Sequence, residues 1–404
     1  MSGAQRIVRL AARGDGITAD GRYVPGATID DMVVLEGEAV QLQPGPRHVA
    51  PVCRHVPACG GCQMQHVADD DYMRFVIDRL AHVLGPLMPA TVAQVALSPP
   101  RSRRRASLRA VRRGGGLHLG FNSEGSHQII DLLQCEVLRS DLFALVAPLR
   151  QLLKAALADG QGAGITLTAS ETGLDVLLAN IRAERLDEIE RLTDFAMAHD
   201  LARLSVEGAD GVQTIVEART PCLTMGGVRV DLPPAPFLQP TQEGEQALVS
   251  AVLEALGDAA HVADLFCGLG TFALPISRRA RVLAADAAGP AVAAMAMAAR
   301  AAGRQVTPLH RDLFRRPLVA QEVAALDAVV FDPPRAGAEA QCRHLASARL
   351  PVVVAVSCNP STFGRDARIL ADGGYVIEKL WPVAQFRWSS HVELVARFVH
   401  RGDG

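Results

Sequence analysis

The sequence predicts an α/β protein: a Rossmann-like, doubly wound sheet at the C-terminal end, preceded by a small β-barrel and a mixed α+β segment. Three observations predict it. From Gln242 onward, apolar strand-like runs alternate with helical stretches, the pattern of a mostly parallel sheet with helices on both faces. The first 45 residues instead break into short extended runs punctuated by glycine turns. Between the two lies a stretch of mixed pattern that opens on a tight group of cysteines.

Taken in order, Ile7-Val-Arg-Leu, Val33-Val-Leu and Val40-Gln-Leu-Gln read as barrel strands, separated by Gly14-Asp-Gly, Asp20-Gly-Arg and Pro25-Gly. Residues 69–84 read as a helix, and 108–130 as strands joined by the turn Gly114-Gly-Gly. Residues 140–157 are helical again. A hairpin is expected around Glu171-Thr-Gly, followed by a helix over 184–199. The parallel sheet is assigned to strands at 261–266, 281–286, 327–332 and 351–356, with helices at 272–279, 291–302 and 363–371. The expected domains are 1–47, 48–235 and 236–404.

With 404 residues, 49% hydrophobic and 21% charged, the chain has the composition of a globular protein of several domains. No apolar run approaches the roughly 20 residues of a membrane span. Met-Ser-Gly-Ala-Gln-Arg at the N-terminus lacks a signal-peptide core, so a cytoplasmic monomer without membrane association is expected. The net charge of −2 does not announce a nucleic-acid binder, although seven arginines crowd residues 101–113. They could track a phosphate backbone or form an ordinary solvated strand face. Eight cysteines without an export signal favour metal, cluster or catalytic thiols over disulfides.

The chemistry gathers at expected strand ends. Asp264-Leu-Phe-Cys-Gly-Leu-Gly-Thr links a strand to a helix, and Gly268 and Gly270 would let a ligand approach the backbone. Asp286 ends the next strand, where an acid accepts bonds from ribose hydroxyls; Asp312 ends the following unit, near an adenine amine. Gly-x-Gly without a third glycine favours S-adenosylmethionine over a dinucleotide. Phe331-Asp-Pro-Pro-Arg holds Asp332 on a loop stiffened by two prolines, a pattern shared with amino-methylating enzymes. Cys358, in Val-Ser-Cys-Asn-Pro, offers a nucleophile, since a thiolate adding to C6 of a uracil makes C5 nucleophilic. Glu393, amid His391, Val392, Leu394 and Val395, is the expected base for the C5 proton. Cys267, by contrast, reads as a buried structural thiol. Upstream, Cys53, Cys59 and Cys62, with Cys135 as a fourth, suit either zinc or a [4Fe–4S] cluster.

These motifs together resemble the bacterial RNA 5-methyluridine methyltransferases, most closely their iron–sulfur-containing 23S ribosomal RNA uracil-C5 branch. The likeness covers nearly the whole chain and implies that part of 66–96 packs on the C-terminal domain. It implies a TRAM/OB-like RNA-binding barrel over residues 1–45 and a C-terminal class I S-adenosylmethionine methyltransferase domain. It makes Cys53, Cys59, Cys62 and Cys135 the ligands of a [4Fe–4S] cluster. Phe237-Leu-Gln matches the family's Phe-x-Gln, which makes Gln239 a cofactor contact. Phe266, Asp286, Asp312 and Asp332 fall at the other binding positions, with Thr271 where Asn is frequent. Cys358 matches the nucleophile and Glu393 the base. The chain departs from the family just before Glu393, with Ala384-Gln-Phe-Arg-Trp-Ser in place of Asp-x-Phe-Pro-x-Thr. The expected activity is 5-methyluridine formation in 23S ribosomal RNA. Transfer RNA as substrate, methylation of cytosine C5 or an amino group, and an RNA-binding protein that has lost catalysis are the alternatives.

Overall fold

The computed structural model describes residues 4–36 and 39–401. Its C-terminal sheet has nine strands. Val306–His310, Arg281–Asp286, His261–Leu265, Ala328–Phe331 and Val352–Ser357 run parallel in that spatial order. Glu393–His400 then pairs antiparallel with Val352–Ser357, and Tyr375–Ala384 antiparallel with Glu393–His400. Thr91–Val92 and Ala96–Leu97 pair with Tyr375–Ala384 at the far edge.

Helices cover both faces, which is why the central strands are nearly uniform apolar runs such as Val-Val-Val-Ala-Val-Ser. Gln242–Leu256 and Gly289–Ala301 bury Leu248, Val252, Val292 and Met295 on one face. Asp69–Leu84, Glu339–Ala348 and Pro360–Asp372 bury Tyr72, Leu80, Leu345 and Phe363 on the other. Two helix starts carry side-chain caps: Thr241 accepts from the Gly244 amide and Asn359 from the Ser361 amide, with Pro360 at the first helical position.

The central sheet has six strands in the order Gly211–Glu217, Arg203–Gly208, Gly173–Ala179, Gly162–Ser170, Arg105–Arg113, Gly116–Gly120. Strand alternation divides the arginine run: Ala106, Leu108 and Ala110 enter the core while Arg109 and Arg113 face outward. Arg101 pairs with Glu136 at 2.8 Å. Arg104 is buried against Glu245 and the chain around Gln239.

At the N-terminus, Tyr23–Val24, Gly16–Thr18, Gln5–Leu10, Met32–Glu36 and Ala39–Gln43 form an antiparallel sheet in that order around Ile7, Val24, Ala27 and Val33. The two edge strands do not pair among the described residues, so the small barrel expected here takes the form of an antiparallel half-barrel sheet. It leans on its neighbours: Arg47 pairs with Asp71 at 2.7 Å, and Met64 fills the space beside Gly14.

The helix expected at 272–279 is one turn, Ala273–Ile276, because the chain must reach the strand beginning at Arg281. The strand Tyr375–Ala384 and the hairpin of Cys222–Met225 with Val228–Asp231 had no counterpart in the sequence reading. Among the described residues, no helix is long and apolar enough to cross a membrane.

Candidate active site

The carboxyl ends of the parallel strands form one rim. After Leu265 the chain turns through Phe266 (φ +63°), Gly268 (φ +53°) and Gly270 (φ +90°). A Cβ on Gly270 would lie 2.7 Å from Met295 Cγ, whereas one on Gly268 would meet nothing within 4 Å. Gly270 thus lets helix and turn close together, and Gly268 leaves the backbone open to a ligand. Asp286 accepts from the amides of Gly268 and Ala288 at 2.8 and 2.7 Å, which fixes its carboxylate at the edge of this cradle. Asp312 accepts from the amides of Phe314 and Arg315. The rings of Phe266 and Phe314 lie 5.4 Å apart, and Phe314 is 51% exposed. An open glycine turn, two fixed carboxylates and an exposed aromatic suit an adenosine group. Cys267 lies buried beneath, its thiol pushed well up by burial, as a structural cysteine should. Thr271 sits apart, in a groove of about 490 Å³ lined by Gln242, Gln246 and Arg278 and by none of these aspartates.

Four side chains from four segments then form a line. Gln239 Nε2 donates to Asp332 Oδ2 at 3.2 Å, and Gln239 Oε1 accepts from Gln385 Nε2 at 2.7 Å. Gln385 Nε2 also donates to Glu393 Oε2. Arg104 holds the Gln239 segment by donating to the carbonyls of Gln239 and Pro240 at 3.1 and 2.8 Å. Burial pushes the Asp332 carboxyl up to about 7 against the opposing bond from Gln239. Glu393, only 5% exposed, is raised well above the ordinary range, first by burial and then by Asp332, with Arg103 and Arg335 opposing.

Cys358 follows the strand Val352–Ser357, and Ser357 pairs with Leu394, the residue after Glu393. Nucleophile and base candidates therefore emerge at the same end of two paired strands. The half-buried Cys358 thiol is pushed up to about 11 by burial, Glu393 and Asp332, with Arg335 opposing. The Arg335 carbonyl accepts from Asn359 Nδ2 at 2.9 Å and Thr362 Oγ1 at 3.2 Å, tying the Asp-Pro-Pro-Arg loop to the Cys358 turn. Arg335 Nη2 lies 3.2 Å from His391 Nε2. Guanidinium only donates, so this histidine nitrogen accepts and the ring is neutral. Burial and three arginines push its pKa down to about 4.

Cys53, Cys59, Cys62 and Cys135 line a single cavity of about 200 Å³, and Arg103, Arg335, Phe386 and His391 share its wall. All four are free thiols. Burial pushes Cys62 up to about 12 and raises Cys59 and Cys135. Among the described residues, no three His, Cys, Asp or Glu side chains converge closely enough for a single metal ion.

The sequence reading did not single out Gln385, Arg103 or Phe314. Arg103 was one arginine among seven, yet its guanidinium lies 5.4 Å from the Phe386 ring centroid and within Coulombic reach of Glu393 and Cys135. The signal for Gln385 was an amide at the end of an apolar strand, a few residues before a candidate base.

Doubly wound sheet, open glycine turn and strand-end carboxylates together define a methyltransferase of the α/β class. Residues 231–399 match the family model for tRNA (uracil-5-)-methyltransferase. An uncharacterized RNA methyltransferase of Zymomonas mobilis is 44% identical over 396 residues, spanning 98% of this chain and 99% of that one. The 23S rRNA (uracil(1939)-C(5))-methyltransferase RlmD of Alteromonas naphthalenivorans is 30% identical, over 96% of this chain and 86% of its own. The chain belongs to the tRNA (uracil-5-)-methyltransferase family and is an S-adenosylmethionine-dependent RNA uracil-C5 methyltransferase. The fold is similar to that of the Pyrococcus abyssi tRNA (uracil-54, C5)-methyltransferase in complex with S-adenosyl-L-homocysteine. The TM-score is 0.77 at 21% identity, over 98% of this chain and all of that one.

Proposed function

We propose that this enzyme forms 5-methyluridine in 23S ribosomal RNA, with Cys358 as nucleophile and Glu393 as base. The observation that carries the roles is their emergence at one end of two paired strands, with Glu393 joined through Gln385 and Gln239 to Asp332. The target uridine is flipped from the RNA into the cleft. Cys358, as a thiolate, adds to C6 and leaves an enolate whose C5 takes the methyl group. Glu393 removes the C5 proton, the C5=C6 bond re-forms, and the Cys358–C6 bond breaks. S-adenosylmethionine supplies the methyl group and, once it is given up, leaves as the neutral thioether. Gly268, Phe266, Asp286 and Asp312 would hold its adenosine and Gln239 and Asp332 would face its reacting end, while Thr271 lines the separate groove beside Gln242.

The four-cysteine cavity suits a cluster several ångströms across better than a single ion, and we assign it a [4Fe–4S] cluster with a structural role. We assign domains 1–47, 48–235 and 236–404 to the half-barrel, the central sheet and the catalytic sheet; the packing of Asp69–Leu84 and the pairing of the strands at 91–97 with the catalytic sheet support adding them to the last. The choice of 23S RNA rests on the 30% identical relative and on the cysteine set.

Tritium release from RNA labelled at uridine C5 tests the proposal, using separate 23S and transfer RNA pools with S-adenosylmethionine. Release from the 23S pool is expected. Release from the transfer RNA pool alone would move the substrate, and none from either would remove the uracil-C5 mechanism.

A further inference from the structure

We infer that Gln385 is a positioning residue for the base, holding the Glu393 carboxylate and the Gln239 amide in register so that C5 proton removal follows methyl transfer. The inference rests on the roles proposed above for Cys358 and Glu393. Gln385 lies in the stretch that departs from the family pattern, and its side chain is 2% exposed. One amide nitrogen supplies two bonds, to Gln239 Oε1 at 2.7 Å and to Glu393 Oε2. Among the described residues, no other side chain is hydrogen-bonded to the Glu393 carboxylate.

The opposite end of the amide is the telling one. Among the described residues, Gln385 Oε1 is buried with no partner. A buried carbonyl without a donor is costly, so the orientation is set by the two acceptors on the other side. The backing is equally specific. A Cβ on Gly244 would lie 2.5 Å from both Cβ and Oε1 of Gln385, so only glycine at that helix position leaves the amide where it is. Phe386, next in the chain, is held by Tyr72 Oη donating to its carbonyl at 3.1 Å and by Arg103 over its ring.

The step governed follows from what Gln385 touches. It bonds the base and the amide beside Asp332, and it has no bond to the Cys358 turn, which is tied instead to the Arg335 carbonyl. Without Gln385 the Cys358 turn keeps its anchors and Gln239 keeps its bond to Asp332, so thiolate addition and methyl transfer survive while the proton at C5 waits for a wandering carboxylate. The enzyme then stalls with Cys358 still bonded to C6 of a methylated base. The charged and titratable groups facing Glu393 are Asp332, the Cys358 thiol, Arg103 and Arg335. Removing the donor also disfavours the carboxylate, so the acid limb of the rate profile moves to higher pH.

The test uses the full-length protein, S-adenosylmethionine and total RNA from cells lacking this enzyme. Wild type, Gln385→Met and Gly244→Ala are followed for methyl incorporation, C5 proton release and a covalent RNA–protein band on denaturing gels. Gln385→Met keeps the volume and removes the donor. Gly244→Ala removes no polar group and displaces the amide. Expected for both is first-turnover methyl incorporation close to wild type, release slowed about ten-fold or more, and an accumulating band. Rates equal to wild type, or incorporation and release falling together without a band and with an unmoved acid limb, would overturn the positioning role. If Gln385→Met fails to fold, Gly244→Ala decides by the same criteria. A wild-type enzyme that incorporates no methyl group would instead overturn the Cys358–Glu393 reading beneath it.

Discussion

The thiol of Cys358 should be unreactive in the free enzyme, and this can be measured directly. Its pKa is pushed up to about 11, chiefly by burial and then by Glu393 and Asp332. At pH 8 that leaves a thiolate fraction of roughly one in a thousand, equivalent to about 4 kcal/mol withheld from any reaction through sulfur. An ordinary thiol with pKa about 8.5 would be roughly one quarter ionised at the same pH. Alkylation by iodoacetamide, followed by peptide mass spectrometry for Cys358 alone, should therefore be slow at pH 8 and still rising above pH 10. Glu393→Gln removes one source of negative charge while leaving the burial. It should raise the Cys358 alkylation rate several-fold, about ten-fold if a full pKa unit is recovered, although the same change blocks turnover. The sign is the point: a substitution that disables the enzyme makes its nucleophile more reactive. Half-maximal alkylation near pH 8.5 in the wild type, or a rate unchanged in Glu393→Gln, would refute the reasoning.

Other consequences concern stability and the thiol cavity. A carboxyl whose folded pKa is raised lowers stability as pH rises from its unfolded value through its folded one, because the folded state holds the proton longer. Glu393→Gln should accordingly stabilise the fold at pH 8 by roughly 1 kcal/mol, an advantage that shrinks as pH falls towards 4, measured by urea unfolding across pH. Turnover should run the other way: with Asp332 at about 7 and Glu393 also raised, methylation rates should climb as pH rises through 7. In the central sheet, Asp175 receives two bonds from Arg203 at 3.0 and 2.8 Å, both side chains being almost fully buried. Asp175→Ala leaves the buried guanidinium only the Leu232 carbonyl at 2.9 Å and Glu217 at 3.7 Å, and should cost about 3 kcal/mol in urea unfolding. Protein prepared without oxygen should carry iron and acid-labile sulfide in equal amounts, and Cys62→Ser should abolish both; iron at wild-type content in Cys62→Ser would remove that residue from the proposed ligand set.

The parallel sheet was legible because burial on both faces leaves an unmistakable apolar run, as in Val352–Ser357, and because glycine and aspartate punctuate the strand ends. Tyr375–Ala384 escaped because it carries Glu378, Lys379 and Pro382 among its apolar residues, so neither alternation nor a continuous run appears. The catalytic candidates were visible as single letters with reactive side chains. Gln239 was visible through the Phe-x-Gln match, but its supports were not: Arg104 and Gln385 meet it only through contacts separated by more than a hundred positions in the chain, beyond the reach of any local pattern. The N-terminal sheet was legible because short strands and glycine turns report antiparallel pairing, although they do not report whether the edges close. The cysteines were read as one group from spacing, and Cys135 shares their cavity despite lying far along the chain.

Without the family's Asp and Pro, the stretch before Glu393 must be held by other means, and its anchors do so. Where the family pattern has proline, Arg387 sends Nη2 to both Asp69 oxygens at 2.6 and 2.5 Å and Nη1 to the Ser98 carbonyl at 3.1 Å. Trp388, at φ +60°, turns its carbonyl towards the amides of Gln63 and Met64 at 2.8 and 2.9 Å. Tyr72 Oη donates to the carbonyls of Phe386 and Ser389. A stiff backbone is thus replaced by cross-links to residues 63–72 and 98. That exchange has a mechanical consequence. The segment beginning at Gln63 directly follows Cys62, so the wall of the thiol cavity and the approach to Glu393 are one hydrogen-bonded unit. The Cys358 turn is held by the Arg335 backbone carbonyl and touches the cavity wall only through the Arg335 side chain. Disturbing the cavity should consequently loosen the base before it loosens the nucleophile. Cys62→Ser, if it folds, should then still form the covalent bond to RNA while releasing the C5 proton slowly, and loss of adduct formation itself would break this link between the two halves of the molecule.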